Sequence, residues 1–341
     1  MELIAADIGG TKSWLAWLTD TPETAPQLRF EQVYASAGFA TADDLIRQFI
    51  IDAGADAAPD SLLLAVPGPV DAQHVRLTNL DWTLDAADMQ ATLGIASVRF
   101  INDFQAAAEG VATLTAADLV ALNAQPAEAG GVRAITGAGT GLGLAFMLAD
   151  AAGRYRSFAT EGGHVDFAPA NAMQGRLLER LRAQYGHVSW ERVASGSAMH
   201  DLYAFCCAEQ GRPLPAAAVD GPALEALAGA GDAAAVAALE LFVELYGAWA
   251  GNVALLYQPR GGLYVAGGIA THLRAQLESP RFMAAATDKG RMRGVVERTP
   301  IYLITSSRLG VQGAIASALD RPQPVLSQYA NSNTKASRSE T

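Results

Sequence analysis

Apolar positions fall along the chain in two rhythms. Short apolar runs bounded by turn residues read as buried strands: Leu3 to Ile8, Ser61 to Val66, Val98 to Ile101, Val132 to Thr136, Leu144 to Leu148, Gly262 to Ala266 and Ile301 to Thr305. Ser13 to Leu18, Glu31 to Ala35, Val75 to Asn79 and Arg154 to Phe158 add further strands. Between them the spacing becomes helical. Thr41 to Ile51 sets Leu45, Ile46 and Phe49 on one face. Helices are also expected at Asp85 to Leu93, Ala172 to Gln184, Ser197 to Gln210, Asp232 to Leu256 and Gly310 to Leu319. Inside the longest of these, Gly247 and Gly251 cost helix stability, which implies close packing or approach of a ligand. Glu240 and Glu244 in the same segment favour a buried core helix over a membrane span.

This order of elements contains a repeat. The chain opens strand, Gly9-Gly10-Thr11, strand, strand. It resumes after the polar loop Ala124 to Gly131 with strand, the glycine-rich turn Gly137 to Gly143, strand, strand. Two halves of one ancestral unit follow from that pattern. Each offers a turn whose successive amides form an anion-binding concavity: Gly10 to Lys12 with the Thr11 hydroxyl, and Gly137, Gly139, Thr140 and Gly141. Asp7 would repel a phosphate, so its natural role beside such a turn is to hold a cation or its waters. An ordinary hairpin remains the alternative. The Walker A spacing is absent.

The other candidate chemistry sits at strand ends. Phe100-Ile101-Asn102-Asp103-Phe104 reads as strand, amide and acid, then helix, and in an α/β sheet that edge is where ligands collect. Asp103 there could take a proton from a substrate hydroxyl; the alternative is that it only caps the helix. Glu161 and His164 bracket two glycines and can turn to one side of a tight loop, an arrangement suited to a polyol. A surface turn with a satisfied histidine is the alternative. Glu191 is placed as a helix N-terminal acid, and Gly267-Gly268 opens a helix where a nucleotide or a neighbouring strand could come close.

Composition narrows the classes. A chain of 341 residues suggests two domains, and 50% hydrophobic with 17% charged residues fits a soluble globular protein. The net charge of −11 argues against a nucleic-acid footprint. It also leaves any phosphate site to backbone groups or a metal. Adjacent Cys206 and Cys207 are poorly placed to bridge each other and fit a reducing cytoplasm. Met1-Glu2-Leu3-Ile4 lacks the basic region and apolar core of a signal peptide. The polar composition from Arg321 leads to an expected disordered tail, 321–341.

Taken together and in order, these pieces resemble bacterial-type glucokinases of the hexokinase and actin-like ATPase superfamily. The resemblance rests on Asp7-Ile8-Gly9-Gly10-Thr11, Ile101-Asn102-Asp103-Phe104, Gly137 to Gly143, Glu161-Gly162-Gly163-His164-Val165-Asp166-Phe167-Ala168-Pro169, Gly186-His187-Val188-Ser189 with Glu191-Arg192-Val193, and Ala266-Gly267-Gly268-Ile269. The cysteine-rich zinc motif of the related ROK kinases is absent. The resemblance implies a two-domain actin-like, ribonuclease H-like α/β fold, each domain a mixed sheet flanked by helices, with a cleft between. The small domain would be 1–113 plus 302–320 and the large one 114–301. It implies ATP-dependent phosphorylation of the glucose 6-hydroxyl in the cytoplasm by a homodimer, with Mg²⁺ near Asp7. Asp103 would be the general base, and Asn102, Glu161, His164 and Glu191 would bind sugar hydroxyls. Asp7, Gly9, Gly10, Thr11 and Lys12 would hold the ATP phosphates with the second hairpin, and Gly267 and Gly268 would face the adenosine. No nucleic acid or membrane partner is expected. A kinase for another hexose and a non-catalytic sugar-binding regulator are the competing readings.

Overall fold

The computed structural model describes residues 1–70, 73–77 and 80–319. The expected tail, and the end of the strand expected to reach Asn79, lie outside these residues. Two compact units emerge: one from Met1–Thr115, Asp150–Ala159 and the chain from Ser306, the other from Ala116–Ala149 and Thr160–Thr305.

The first unit begins with β1 (Glu2–Ile8), β2 (Lys12–Thr19) and β3 (Gln27–Ala35). It continues through β4 (Ser61–Val66), a small ribbon of β5 (His74–Leu77) and β6 (Trp82–Asp85), and β7 (Ser97–Asn102). The main sheet runs β3-β2-β1-β4-β7, antiparallel through the first three strands and parallel from β1 to β4 to β7. β1 and β4 are covered on both faces, which is why they read as continuous apolar runs. Alternate residues of β1 enter two cores. Ile4, Ala6 and Ile8 pack with Leu45, Ile46 and Phe49 of the helix Ala42–Asp52. Leu3 and Ala5 pack with Ala106, Val311 and Ala314. That second core joins the helix Asp103–Gly110 to the last helix, Leu309–Ala318. The two helices touch backbone to backbone: a methyl at Gly313 would overlap the Ala106 carbonyl, and one at Gly110 the Leu309 carbonyl.

The second sheet holds β8 (Leu119–Ala121), β9 (Arg133–Ala138), β10 (Leu142–Ala149), β11 (Tyr155–Thr160), β12 (Gly262–Ala266) and β13 (Ile301–Ile304). Its order is β11-β10-β9-β12-β13-β8. β9 pairs antiparallel with β10 and parallel with β12, and β13 follows parallel to β12. The first five positions therefore repeat the order of the first sheet, with β8 added antiparallel at the edge. The helix Ala233–Tyr257 is long and apolar enough to cross a membrane, yet most of its apolar window is buried in this unit. Trp249 Nε1 donates to Thr136 Oγ1 at 2.8 Å, and the Tyr246 hydroxyl accepts from the Ala138 amide at 3.1 Å. Methyls at Gly247 and Gly251 would overlap carbonyls of Phe282 and Ala286, so the two glycines admit the helix Pro280–Thr287. Cys206 and Cys207 are free and buried.

Two segments fall differently from the domain bounds expected. β13 belongs to the second sheet, because its ladder partners are β12 and β8. Asp150–Ala159 groups with the first unit. β8 carries too short an apolar run to stand out in the sequence.

Candidate active site

The two hairpins use the same backbone device. In the first, the Gly9 amide donates to the Lys12 carbonyl at 3.1 Å, and a methyl at Gly9 would meet that oxygen at 2.8 Å. Ser36 anchors the turn: its Oγ donates to the Gly9 carbonyl at 2.7 Å, and its amide donates to the Thr11 carbonyl at 3.1 Å. In the second hairpin the Gly139 amide donates to the Gly141 carbonyl at 2.9 Å, and the Gly139 carbonyl accepts from the Gly196 amide at 2.7 Å. Gly9 and Gly139 therefore spend their amides closing the turns. Among the described residues the amides of Gly10, Thr11, Thr140 and Gly141 have no partner.

Gly137 is a correction. It was expected in the turn, but it lies inside β9, opposite Gly143 on one side and Ala266 on the other. The ladder runs past the first glycine because Gly137 and Ala138 keep extended pairing. The Gly267-Gly268 pair also divides. Gly267 has φ +96° and a methyl there would overlap the Ala138 carbonyl, so it serves close packing of β12 on β9. A methyl at Gly268 meets open space.

In the first unit Asp7 lies near the end of β1, beside Ala65 of β4, while Val66 lies beside Asn102 of β7. The two acids Asp7 and Asp103 thus share the carboxyl edge of three parallel strands, roughly 10 Å apart by strand spacing. Asn102 is buried and caps the following helix. Its Oδ1 accepts from the Gln105 amide at 3.0 Å and its Nδ2 donates to the Gly68 carbonyl at 3.0 Å. The capping role that the sequence allowed for Asp103 is thus filled by Asn102. Asp103 is the first helical residue, half-buried, with Oδ1 accepting from the Phe104 amide at 2.8 Å.

Asp7 sits against Gly310 in the first turn of the last helix, where a methyl would overlap its Oδ2. Burial pushes its carboxyl up to about 6, against the opposing pull of the Lys12 ammonium. A half-buried carboxyl with one nearby cation suits a hydrated divalent ion. The described residues contain no group of three or more acids, histidines or cysteines that could hold a metal by themselves. Such an ion would lean on one carboxylate and on substrate phosphates, as Mg²⁺ commonly does.

In the second unit three expected residues come together. His164 Nε2 lies 4.0 Å from Glu161 Oε2 and 3.9 Å from Glu191 Oε2. A short ribbon brings them there. The Phe167 amide donates to the Val188 carbonyl and the Trp190 amide to the Val165 carbonyl, both at 3.0 Å. Asp166 also pairs with His187 at 2.7 Å. Glu191 then reaches the hairpin: Oε2 accepts from the Leu142 amide at 2.9 Å, and a methyl at Gly141 would stand 2.5 Å from it. Sugar-site and phosphate-site candidates are thus in direct contact. Ser36, Gly196 and Gly310 were not singled out in the sequence. A glycine in the first turn of a helix, where Asp, Glu, Ser or Thr are commoner, was the available signal for Gly310.

A cavity of about 1350 Å³ lies along the helices Ala233–Tyr257 and Pro280–Thr287 and contains none of these residues.

A family model described as Glucokinase matches residues 4–321. The chain is 38% identical to the glucokinase of Synechocystis sp., covering 93% of this chain and 98% of the relative. It is 35% identical to the glucokinase of Nostoc punctiforme at the same coverages. A solved glucokinase from an Antarctic psychrotroph superimposes with a TM-score of 0.78 at 30% identity, covering 94% of this chain and 99% of that one. A ROK family glucokinase from Streptomyces griseus, solved with glucose and AMPPNP, shares the fold at a TM-score of 0.61 and 20% identity, covering 94% and 100%.

Proposed function

This chain belongs to the glucokinase family, and from that premise we propose that it transfers the γ-phosphoryl group of ATP to the 6-hydroxyl of glucose. Asp103 accepts the hydroxyl proton as the oxygen bonds to the γ-phosphorus and the bond to ADP breaks. Phosphoryl transfer asks the protein for positioning and charge stabilisation more than for covalent chemistry. Glu161, His164 and Glu191 bind the remaining sugar hydroxyls, with Asn102 presenting Asp103. A site that hydrogen-bonds each hydroxyl loses affinity when one is moved, because its own groups are left unpaired. The free amides of Gly10, Thr11, Thr140 and Gly141 bind phosphate oxygens, Lys12 adds charge, and Gly268 leaves room for the adenosine. When bound, Mg²⁺ would neutralise phosphate charge, and Asp7 would hold it or its waters.

The observation that carries this reading is the position of Asp103: a half-buried carboxylate at the strand edge, relieved of capping by Asn102. A coupled assay of ADP release tests it, comparing glucose, mannose, fructose and N-acetylglucosamine with no sugar. Fast turnover with glucose is expected. Turnover with another sugar alone would change the substrate, and none with any sugar would remove the kinase. We also propose a cytoplasmic homodimer, to be weighed by light scattering; the two free, buried cysteines suit a reducing compartment.

A further inference from the structure

A second cavity, about 490 Å³, lies within the first unit, and none of the candidate site residues lines it. Its walls come from β7, from the helix Asp103–Gly110, from the C-terminal turn of the last helix and from the segment around Tyr155. Three of its lining residues are arginines, Arg99, Arg154 and Arg156, against one acid, Glu109. That is unusual in a chain of net charge −11.

The arginines differ in how far they are already used. Arg154 is paired with Asp150 at 2.8 Å. Arg99 has no carboxylate partner among the described residues; its Nη2 donates at 3.2 Å to the Ala318 carbonyl and at 3.5 Å to the Ser317 carbonyl. Arg156 stands over the Phe158 ring at 5.4 Å and likewise has no carboxylate partner among them. Glu109 is engaged with the Ser157 hydroxyl. The Ser317 hydroxyl is buried and has no hydrogen-bond partner among the described residues. Two guanidinium groups without counter-charge among the described residues thus line a cavity with room for a small metabolite.

We infer that this cavity binds the phosphate group of a small phosphorylated metabolite, at a site separate from the glucose and ATP groups. Guanidinium presents paired N–H donors that match phosphate oxygens, and such charge-assisted pairs are stronger than neutral ones. Arg99 and Arg156 supply the donors. The site is wired to the reaction by the chain itself. Arg99 lies three residues before Asn102 on β7, and Gln105 and Glu109 stand on the helix that Asp103 begins.

Isothermal titration of the full-length chain with glycerol 3-phosphate, and separately with inorganic phosphate, tests the site without relying on activity. Glycerol 3-phosphate lacks the hexose ring that the sugar groups would recognise. Saturable binding of either probe is expected, weakened at least tenfold in Arg156→Gln and further in the double variant Arg99→Gln, Arg156→Gln. Glucose turnover without the probe should stay near wild type in Arg156→Gln, whose side chain is exposed, and this serves as the check on folding. Binding of both probes points to the phosphate alone as the recognised group, and binding of glycerol 3-phosphate alone to an ester. No saturable binding of either, or binding that Arg156→Gln and the double variant leave unchanged, overturns the inference.

Discussion

The two hairpins share a backbone and differ in what surrounds it. Each closes on its first glycine, and each has that glycine's carbonyl tethered from outside, by Ser36 in the first unit and Gly196 in the second. Beside the first stands a half-buried acid, Asp7, held against a helix start. Beside the second stands an acid from a distant loop, Glu191, which accepts from the Leu142 amide and lies close to His164. A duplicated turn can keep its amides while its neighbours diverge. Here one copy has acquired a carboxyl suited to a cation, and the other a carboxylate network suited to hydroxyls. The acid that would do the chemistry, Asp103, belongs to neither turn.

The largest effect expected is therefore at Asp103. Asp103→Ala should lower turnover about 10²–10⁴-fold, the usual worth of a general base, while glucose binding stays measurable by titration. Near-normal turnover in the folded variant would remove the role.

Asp7 is next. Its carboxyl holds a proton up to about pH 6 when folded, against an ordinary value of 3.8. Between those values the folded state binds more protons than the unfolded state, so metal-free protein loses stability as pH rises through that window. The full cost, about 3 kcal/mol as an upper bound, is present above pH 6. Asp7→Asn should therefore raise the melting temperature of metal-free protein at pH 7.5, by an amount that shrinks toward pH 4, while abolishing turnover. A pH-independent difference in melting would count against the half-buried carboxyl.

Two glycines sharpen the contrast between the hairpins. At Gly310 the added methyl meets Asp7 and the start of a packed helix, so Gly310→Ala should cost about 1–3 kcal/mol in urea unfolding and weaken the response to Mg²⁺. At Gly141 the methyl meets only the end of the Glu191 side chain, which can swing aside. Gly141→Ala should leave unfolding within about 0.5 kcal/mol of wild type and show itself as a higher KM for glucose. Equal stability losses in the two variants would break the comparison. Asn102→Ala removes a helix cap. It should cost about 1 kcal/mol by chemical denaturation, with a fall in kcat if Asn102 presents Asp103.

Much of this was legible in the chain. Buried strands such as β4 and β12 are short unbroken apolar runs, and the helix around Leu45, Ile46 and Phe49 shows its face by spacing alone. Local signals of that kind depend on residues a few positions apart. The repeat of strand, glycine turn, strand, strand is matched by two sheets of like strand order. Asp103, Glu161, His164 and Glu191 stood out through the motifs that carry the family resemblance.

What the chain could not reveal by itself was how each group is spent. Asn102 takes the cap and relieves Asp103, because its amide meets both Gln105 and Gly68, the latter far away in sequence. Gly137 joins the ladder instead of the turn, because β10 and β12 flank it on both sides. Gly267 is occupied in packing on Ala138 while Gly268 is open, though the two are neighbours of the same type. Glu191 meets the second hairpin and His164 only because a ribbon between Val165–Phe167 and Val188–Trp190 folds it there. The sequence by itself determined which elements form, their order and the small set of reactive side chains, since these follow from periodicity and residue chemistry. The tertiary structure decided which of those side chains remain available, since hydrogen bonds and close contacts across long sequence separations consume some donors and leave others.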